Sequence, residues 1–276
     1  MNSIVSAARS IAAEAVSMPR SRLWRAHWID SKYEFLGLFR SPVIYVPLLA
    51  IPVAMYAFVG IILVHSVHLP IDPKTGLTVD LRTAQAAAFA GWVIFGVMGP
   101  AVMFFAVGVA GDRDTGLLAF RRALPMPPLG FLVSKALSSL MFASVVIGLM
   151  TVLCVLFSSA HLSLAQHVQL FFAGNLMVLP FCALGLVIGA SFSVQAAMAL
   201  ANVGWIGLAM LGGLLFSVPK WLAMWTPTYY AGQLSLGIVG LPTQVPAWLS
   251  VTVLSSLTVA LGALAVGRIN AVNSER

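Results

Sequence analysis

The side chains able to do chemistry in this chain are few, and most sit at the margins of long apolar stretches. The eight carboxylates are Glu14, Asp30, Glu34, Asp72, Asp80, Asp112, Asp114 and Glu275. None lies in the middle of an apolar segment, where a proton- or sodium-driven carrier places the ionisable group that binds its coupling ion. His161 and His167 are six apart in an outer link with no acidic partner nearby, and solvated loop histidines are expected there before metal ligands. Cys154 and Cys182 both fall in apolar runs, where a thiol packs as a small hydrophobe. There is no H-E-x-x-H, and no paired-carboxylate or Ser-His arrangement can be assembled across the apolar stretches, so intramembrane hydrolysis and acyl transfer lack their groups. The phosphate-cradling G-x-x-x-x-G-K-[ST] is also absent, so work against a gradient would need energy from another polypeptide.

That leaves the segment Gly111 to Pro128 as the informative one. Asp112 and Asp114 precede Gly116, Leu117, Leu118 and Phe120, then Arg121, Arg122 and Pro125. A helix starting near Asp114 would place acids at its positive end, arginines at its negative end and a proline at its stop. Composition leaves two readings open: a short helix resting on lipid, or a docking helix for a partner.

The elements that would position these residues follow from composition. Hydrophobic residues make up 60% of the 276 and charged residues 8%, with mean hydropathy +0.98; a soluble domain carries roughly 25% charge. Between Arg40 and Asp72 lie 31 uncharged residues, between Arg82 and Asp112 29, between Lys135 and Lys220 84, and between Lys220 and Arg268 47. A spanning helix needs about 20 apolar residues to cross ~30 Å of hydrocarbon, which predicts an all-α membrane protein with six spans near 43–64, 86–110, 132–157, 168–192, 196–218 and 247–267. Of the fifteen Lys and Arg, twelve flank one side of these spans; Lys74, Arg82 and Lys220 lie on the other. Basic loops face the cytoplasm, so both termini are expected there. The net charge of +7 therefore points to a membrane surface and not to nucleic acid.

The remaining segments divide as a cytoplasmic extension over 1–21, an amphipathic interfacial helix over 22–41, a loop over 111–131, an outer re-entrant hairpin over 219–246 and a tail over 269–276. In the interfacial helix Leu23, Trp28, Phe35, Leu36 and Phe39 form an apolar face; Arg25, Asp30, Ser31, Lys32 and Glu34 take the wet side. Trp24 and Tyr33 beside Lys and Arg suit the headgroup region, and Pro42 turns the chain into the membrane after Arg40. Trp221, Trp225, Tyr229 and Tyr230 with Pro227 give the hairpin an aromatic, weakly charged composition, read either as an aromatic belt or as an outer gate. Asn175 and Asn202 are amides at hydrocarbon depth; bonding between helices is expected before substrate contact.

With these residues in view, the chain resembles the permease subunits of the ABC-2 family of ATP-binding-cassette transporters. The resemblance rests on Glu34 to Pro42 before span one, on Asp112, Asp114, Gly116, Leu117, Leu118, Arg121, Arg122, Pro125 and Lys135 around the loop after span two, on Ala183 to Gly189 in span four, and on Gly212 to Phe216 with Trp225 to Tyr230 before span six. The customary acid of the loop is Glu, and Asp stands here. The resemblance implies a type V exporter-like fold and a non-catalytic subunit for efflux of an amphipathic small molecule, drug or lipid-like compound. It implies a bacterial inner-membrane location, pairing with a second permease copy or paralogue, and two copies of a separate ATPase that carries the Mg-ATP. The Asp114 to Arg122 segment would be the coupling helix, with the Arg22 to Phe39 helix contributing to the same contact. Export of a lipid-linked polysaccharide and a non-transporting membrane scaffold remain open alternatives.

Overall fold

The computed structural model describes residues 42–66, 80–116, 130–214 and 218–274, together with Arg25, Trp28, Ile29, Ser31, Lys32, Tyr33 and Leu36. Among these residues the chain is helical apart from short links, with no strand, and six helices are long and apolar enough to cross a membrane. The helices are α1 (Pro42–Met55), a π-helical stretch (Tyr56–Leu63), α2 (Val64–Ser66), α3 (Leu81–Asp114), α4 (Gly130–Phe157), α5 (Leu164–Ser191), α6 (Val194–Leu211), α7 (Lys220–Ala223), α8 (Pro227–Ile238) and α9 (Ala247–Ser274). Span one runs through α1, the π stretch and α2. Spans two to six are α3, α4, α5, α6 and α9.

The bundle is built around α3, whose most apolar window is 78% buried, against 17–50% for the other spans. Small residues bring neighbouring backbones onto it, which is how helices associate where lipid removes the hydrophobic drive between them. Gly185 and Gly189 of α5 lie against the carbonyls of Val102 and Ala106, so close that an added Cβ would collide with backbone. Gly99 faces the indole of Trp205, whose Nε1–H donates to the Phe95 carbonyl at 3.3 Å. Aromatic side chains fill the remaining space, with Phe104 and Phe142 stacked edge to face at 5.3 Å.

Several element ends differ from the sequence reading, each for a local reason. Span two starts five residues earlier than expected and runs to Asp114, because at 34 residues and 1.5 Å per residue it outreaches the bilayer. Asp112 and Asp114 therefore lie on the last turn of a spanning helix and not at the start of a new one. Thr115 caps this helix, donating its hydroxyl to the Gly111 carbonyl at 2.8 Å. Gly116 follows at φ +72°, the left-handed value that ends helices and favours glycine. Span four begins at Leu164, started by a reciprocal cap in which Ser163 accepts from the Gln166 N–H and Gln166 accepts from the Ser163 N–H. Span five stops at Leu211, seven residues short of expectation. Gly212 and Gly213 (φ +75°) break it there, and Thr228 of α8 packs on Gly212 while donating to the Leu208 carbonyl at 2.6 Å.

Between spans five and six stand two short helices, α7 and α8. Thr226 caps α8 and Pro227 occupies its first turn. One face of α8, with Thr228, Tyr229, Ala231, Gly232 and Ser235, is buried against the bundle, where the helix packs on α9, α3, α5 and α6.

Candidate functional site

Every charged side chain of the described spans sits near an end. Asp112, Arg113 and Asp114 on α3, Lys135 on α4 and Arg268 on α9 share one end, here the basic end, while Arg82 is at the other. A charge at bilayer depth is costly, and the ends are where such groups reach headgroups and water. At the basic end they do more than reach solvent.

Lys135 Nζ stands 3.1 Å from Asp112 Oδ2, and both side chains are largely enclosed, 9% and 16% exposed. The lysine crosses α3 over Gly108, where a Cβ would lie 3.1 Å from Nζ, so that even an alanine there would make the ammonium give way by a few tenths of an ångström. Arg113 turns the other way. Its Nη1 donates to the Ala190 carbonyl at 2.9 Å and its Nη2 to the Phe192 carbonyl at 2.6 Å. Those two carbonyls belong to the turn between α5 and α6, whose last α5 acceptors have no partners within the helix. Asp114 completes the contact: one carboxylate oxygen sits 3.4 Å from Arg113 Nη2, and the other accepts from the Val194 N–H at the start of α6, also at 3.4 Å. An acid at that helix start complements its dipole.

On the far side of Lys135, Ser138 Oγ donates to the carbonyls of Ser134 (3.0 Å) and Ser31 (3.1 Å). Ser31 is fully buried. This corrects the sequence reading, which set Ser31 on the wet face: the backbone carbonyl turned toward α4 takes the residue out of water. Trp28, Lys32, Tyr33 and Leu36 are exposed around it. Polar contacts thus run from the amino-terminal segment through α4 and α3 to the α5–α6 turn.

Of the residues singled out in the sequence, Asp112, Asp114 and Gly116 come together at the end of α3. Leu117, Leu118, Phe120, Arg121 and Arg122 lie outside the described residues, as do Trp24, Glu34 and Arg40. Asn175 is tied between helices: Nδ2 donates to the Phe171 carbonyl at 2.9 Å, and Oδ1 accepts from Ser144 of α4 at 3.0 Å. Asn202 is exposed and donates to the Met198 carbonyl of its own helix at 3.1 Å. The aromatic group divides. Trp225 is 84% exposed, whereas Tyr229 is buried, its ring 5.4 Å from that of Tyr230 and its hydroxyl 3.5 Å from Gln244 Oε1. Burial, then the neighbouring Tyr230, pushes the Tyr229 hydroxyl above its usual pKa.

His161 is exposed in the α4–α5 link at φ 46°. His167 is not a solvated loop residue. It is buried in the first turn of α5, its ring edge-on to Phe89 at 5.6 Å, because the Ser163 cap starts the helix earlier than the polar composition of the link suggests. Nearby, the buried Gln85 donates to the Ile61 carbonyl of the π stretch at 3.2 Å and accepts from Ser158 Oγ at 3.1 Å and the Ser159 N–H at 2.5 Å. Sequence reading missed Gln85, Arg113 and Lys135 as site residues. A glutamine in an apolar run was the available signal for the first. For Arg113 none existed, since its acceptors are backbone carbonyls 77 and 79 residues away.

Five spans packed around a sixth, long central one, with polar links at the ends, define a polytopic membrane protein. The family model for the ABC-2 type transporter matches residues 26–241, and the chain belongs to that family. Over 164 residues it is 26% identical to a protein of Bacillus subtilis (strain 168) named "Putative transport permease YvfS", an alignment covering 56% of this chain and 65% of that protein, less than two thirds of its length.

Proposed function

We propose that this chain forms the membrane pathway of an ATP-driven exporter for an amphipathic small molecule, drug or lipid-like compound, powered by a separate ATPase. The basic end faces the cytoplasm of a bacterial cell, by the bias of Lys and Arg. Two permease copies pair in the inner membrane, and two ATPase copies carrying Mg-ATP dock below them. The 117–129 segment is the docking element, with Leu117, Leu118 and Phe120 as its apolar contacts and Arg121 and Arg122 orienting the encounter. Trp24, Trp28, Lys32, Glu34 and Arg40 anchor the adjoining helix at the lipid surface.

The observation that carries this reading is where the charges are. Among the described residues no acidic or basic side chain stands in the middle of a span, so the chain lacks the groups by which a carrier couples itself to an ion gradient. In a family of transporter permeases, the driving force then enters from a partner at the basic end. Asn202 supports the pairing: it sits mid-helix on α6, exposed, seven residues after the exposed Gln195, and an amide facing hydrocarbon gains by bonding to a second helix. A cavity of about 510 Å³ between α5, α8 and α9, lined by Ala173, Met177, Pro180, Leu234, Leu254 and Val259 among others, is apolar, which favours an amphipathic cargo over a saccharide. Trp225, Pro227, Tyr229 and Tyr230 close the outer face.

The test is ATP turnover of the complex purified from its host and reconstituted in proteoliposomes. Cationic amphiphiles and lysolipids should stimulate hydrolysis. Stimulation by lipid-linked saccharides alone would replace the cargo assignment, and hydrolysis indifferent to every added compound would favour a scaffold.

A further inference from the structure

The basic end holds an arrangement that docking alone does not require. Two enclosed charges meet between the end of α3 and the start of α4, Asp112 and Lys135. The next two residues of α3, Arg113 and Asp114, bind the α5–α6 turn through three contacts. One turn along α4 from Lys135, Ser138 holds the Ser31 carbonyl. We propose that the Asp112–Lys135 pair is a positioning clamp which, through Arg113, Asp114 and Ser138, makes the ends of the amino-terminal helix and spans two to five move as one body when the 117–129 segment is pushed. This rests on the function proposed above and names how a push reaches spans four and five.

The physical case is one of direction. In lipid no hydrophobic drive holds one helix end against another, so close packing and polar contacts must fix register there. A buried ion pair gives little net stability, since desolvation offsets attraction. What it does supply is a single geometry, and its best attested use is in fixing register. Arg113 adds the same property: two N–H groups on one planar guanidinium reach two successive parts of one turn, which a lysine cannot reproduce. Gly108 keeps open the lane Lys135 needs. Push the segment, and α3 and α4 shift together; Arg113 and Asp114 then carry the α5–α6 turn with them. Rigid-body displacement of packed helices is how such small shifts are passed on.

The decisive variant is the double apolar replacement Asp112→Leu with Lys135→Met. Removing both charges avoids the stranded charge that would unfold a single variant, so the chain should fold with an unchanged or higher thermal midpoint. Nitroxides at Thr115 and Val133, both exposed, report the separation of α3 and α4 in the permease alone, in lipid nanodiscs. Wild type should give one narrow distance distribution and the double variant a broad or split one, restored in the charge-swapped Asp112→Lys with Lys135→Asp. A distribution as narrow as wild type in a folded double variant would overturn the clamp. In the complex with its ATPase, the double variant should keep basal ATP hydrolysis and lose the vanadate-trapped displacement between nitroxides at Thr115 and Gln195. A full displacement there would overturn it equally. Failure to recover any ATPase would count against the proposed function, while the nanodisc measurement still decides the clamp.

Discussion

At the scale of single residues, Thr228 is held by both a hydrogen bond and a close backbone contact. Its hydroxyl donates to Leu208 at 2.6 Å and its Cβ rests on Gly212, so one residue both completes the end of span five and seats α8. Thr228→Val keeps the shape and removes the donor. A lost hydrogen bond of this kind costs about 1 kcal/mol, which for a protein of this size lowers the thermal midpoint by about 2–4 °C, measurable by melting in detergent. Asn175 makes a complementary case. Because its Oδ1 bridges α4 and α5 through Ser144 while its Nδ2 donates within α5, a double-mutant cycle with Ser144→Ala and Asn175→Leu should show coupling of about 0.6 kcal/mol in stability and little change in cargo-stimulated ATP turnover. A large loss of turnover with no stability coupling would place Asn175 in the pathway instead. Neither partner was legible in the sequence. An amide in an apolar run announces that it needs a partner but not which one, and a carbonyl acceptor leaves no mark in the residue types at all.

At the scale of elements, the spans were readable because hydrocarbon imposes a length and excludes charge, and the uncharged runs of 29 to 84 residues display that constraint directly. Their ends were not, because ends are set by local bonds. The Ser163–Gln166 cap draws His167 into α5; the Gly212–Gly213 break ends α6 early; the C-terminal cap at Thr115 and Gly116 keeps Asp112 and Asp114 on α3. Those acids belong to the span and hold its neighbours, which under the proposed function leaves the apolar residues and arginines of 117–129 as the docking contacts. Reversing Arg121 and Arg122 to Glu should therefore weaken ATPase association on the order of tenfold, about 1.4 kcal/mol, with the thermal midpoint of the isolated permease unchanged. Unaltered association and turnover would remove the arginines from the interface. The same substitution at Arg113 should do the reverse, lowering the midpoint, since it strands two carbonyls of the α5–α6 turn.

At the scale of the whole molecule, the composition that makes six spans also leaves no Asp, Glu, Lys or Arg in the middle of a described one, in a chain of the ABC-2 transporter family. A bundle of this kind can open and close a route, but it holds no visible source of work. Under the proposed function the work is done by a second polypeptide docked at the basic end. The experiment is affinity purification from the native host in mild detergent, through a carboxy-terminal tag and with mass spectrometry of the recovered chains. A soluble P-loop ATPase should be recovered in equal amount with the permease, and should be lost when Arg121 and Arg122 are reversed. Recovery of this chain alone, under conditions that preserve other transporter complexes from the same membrane, would contradict the proposed function.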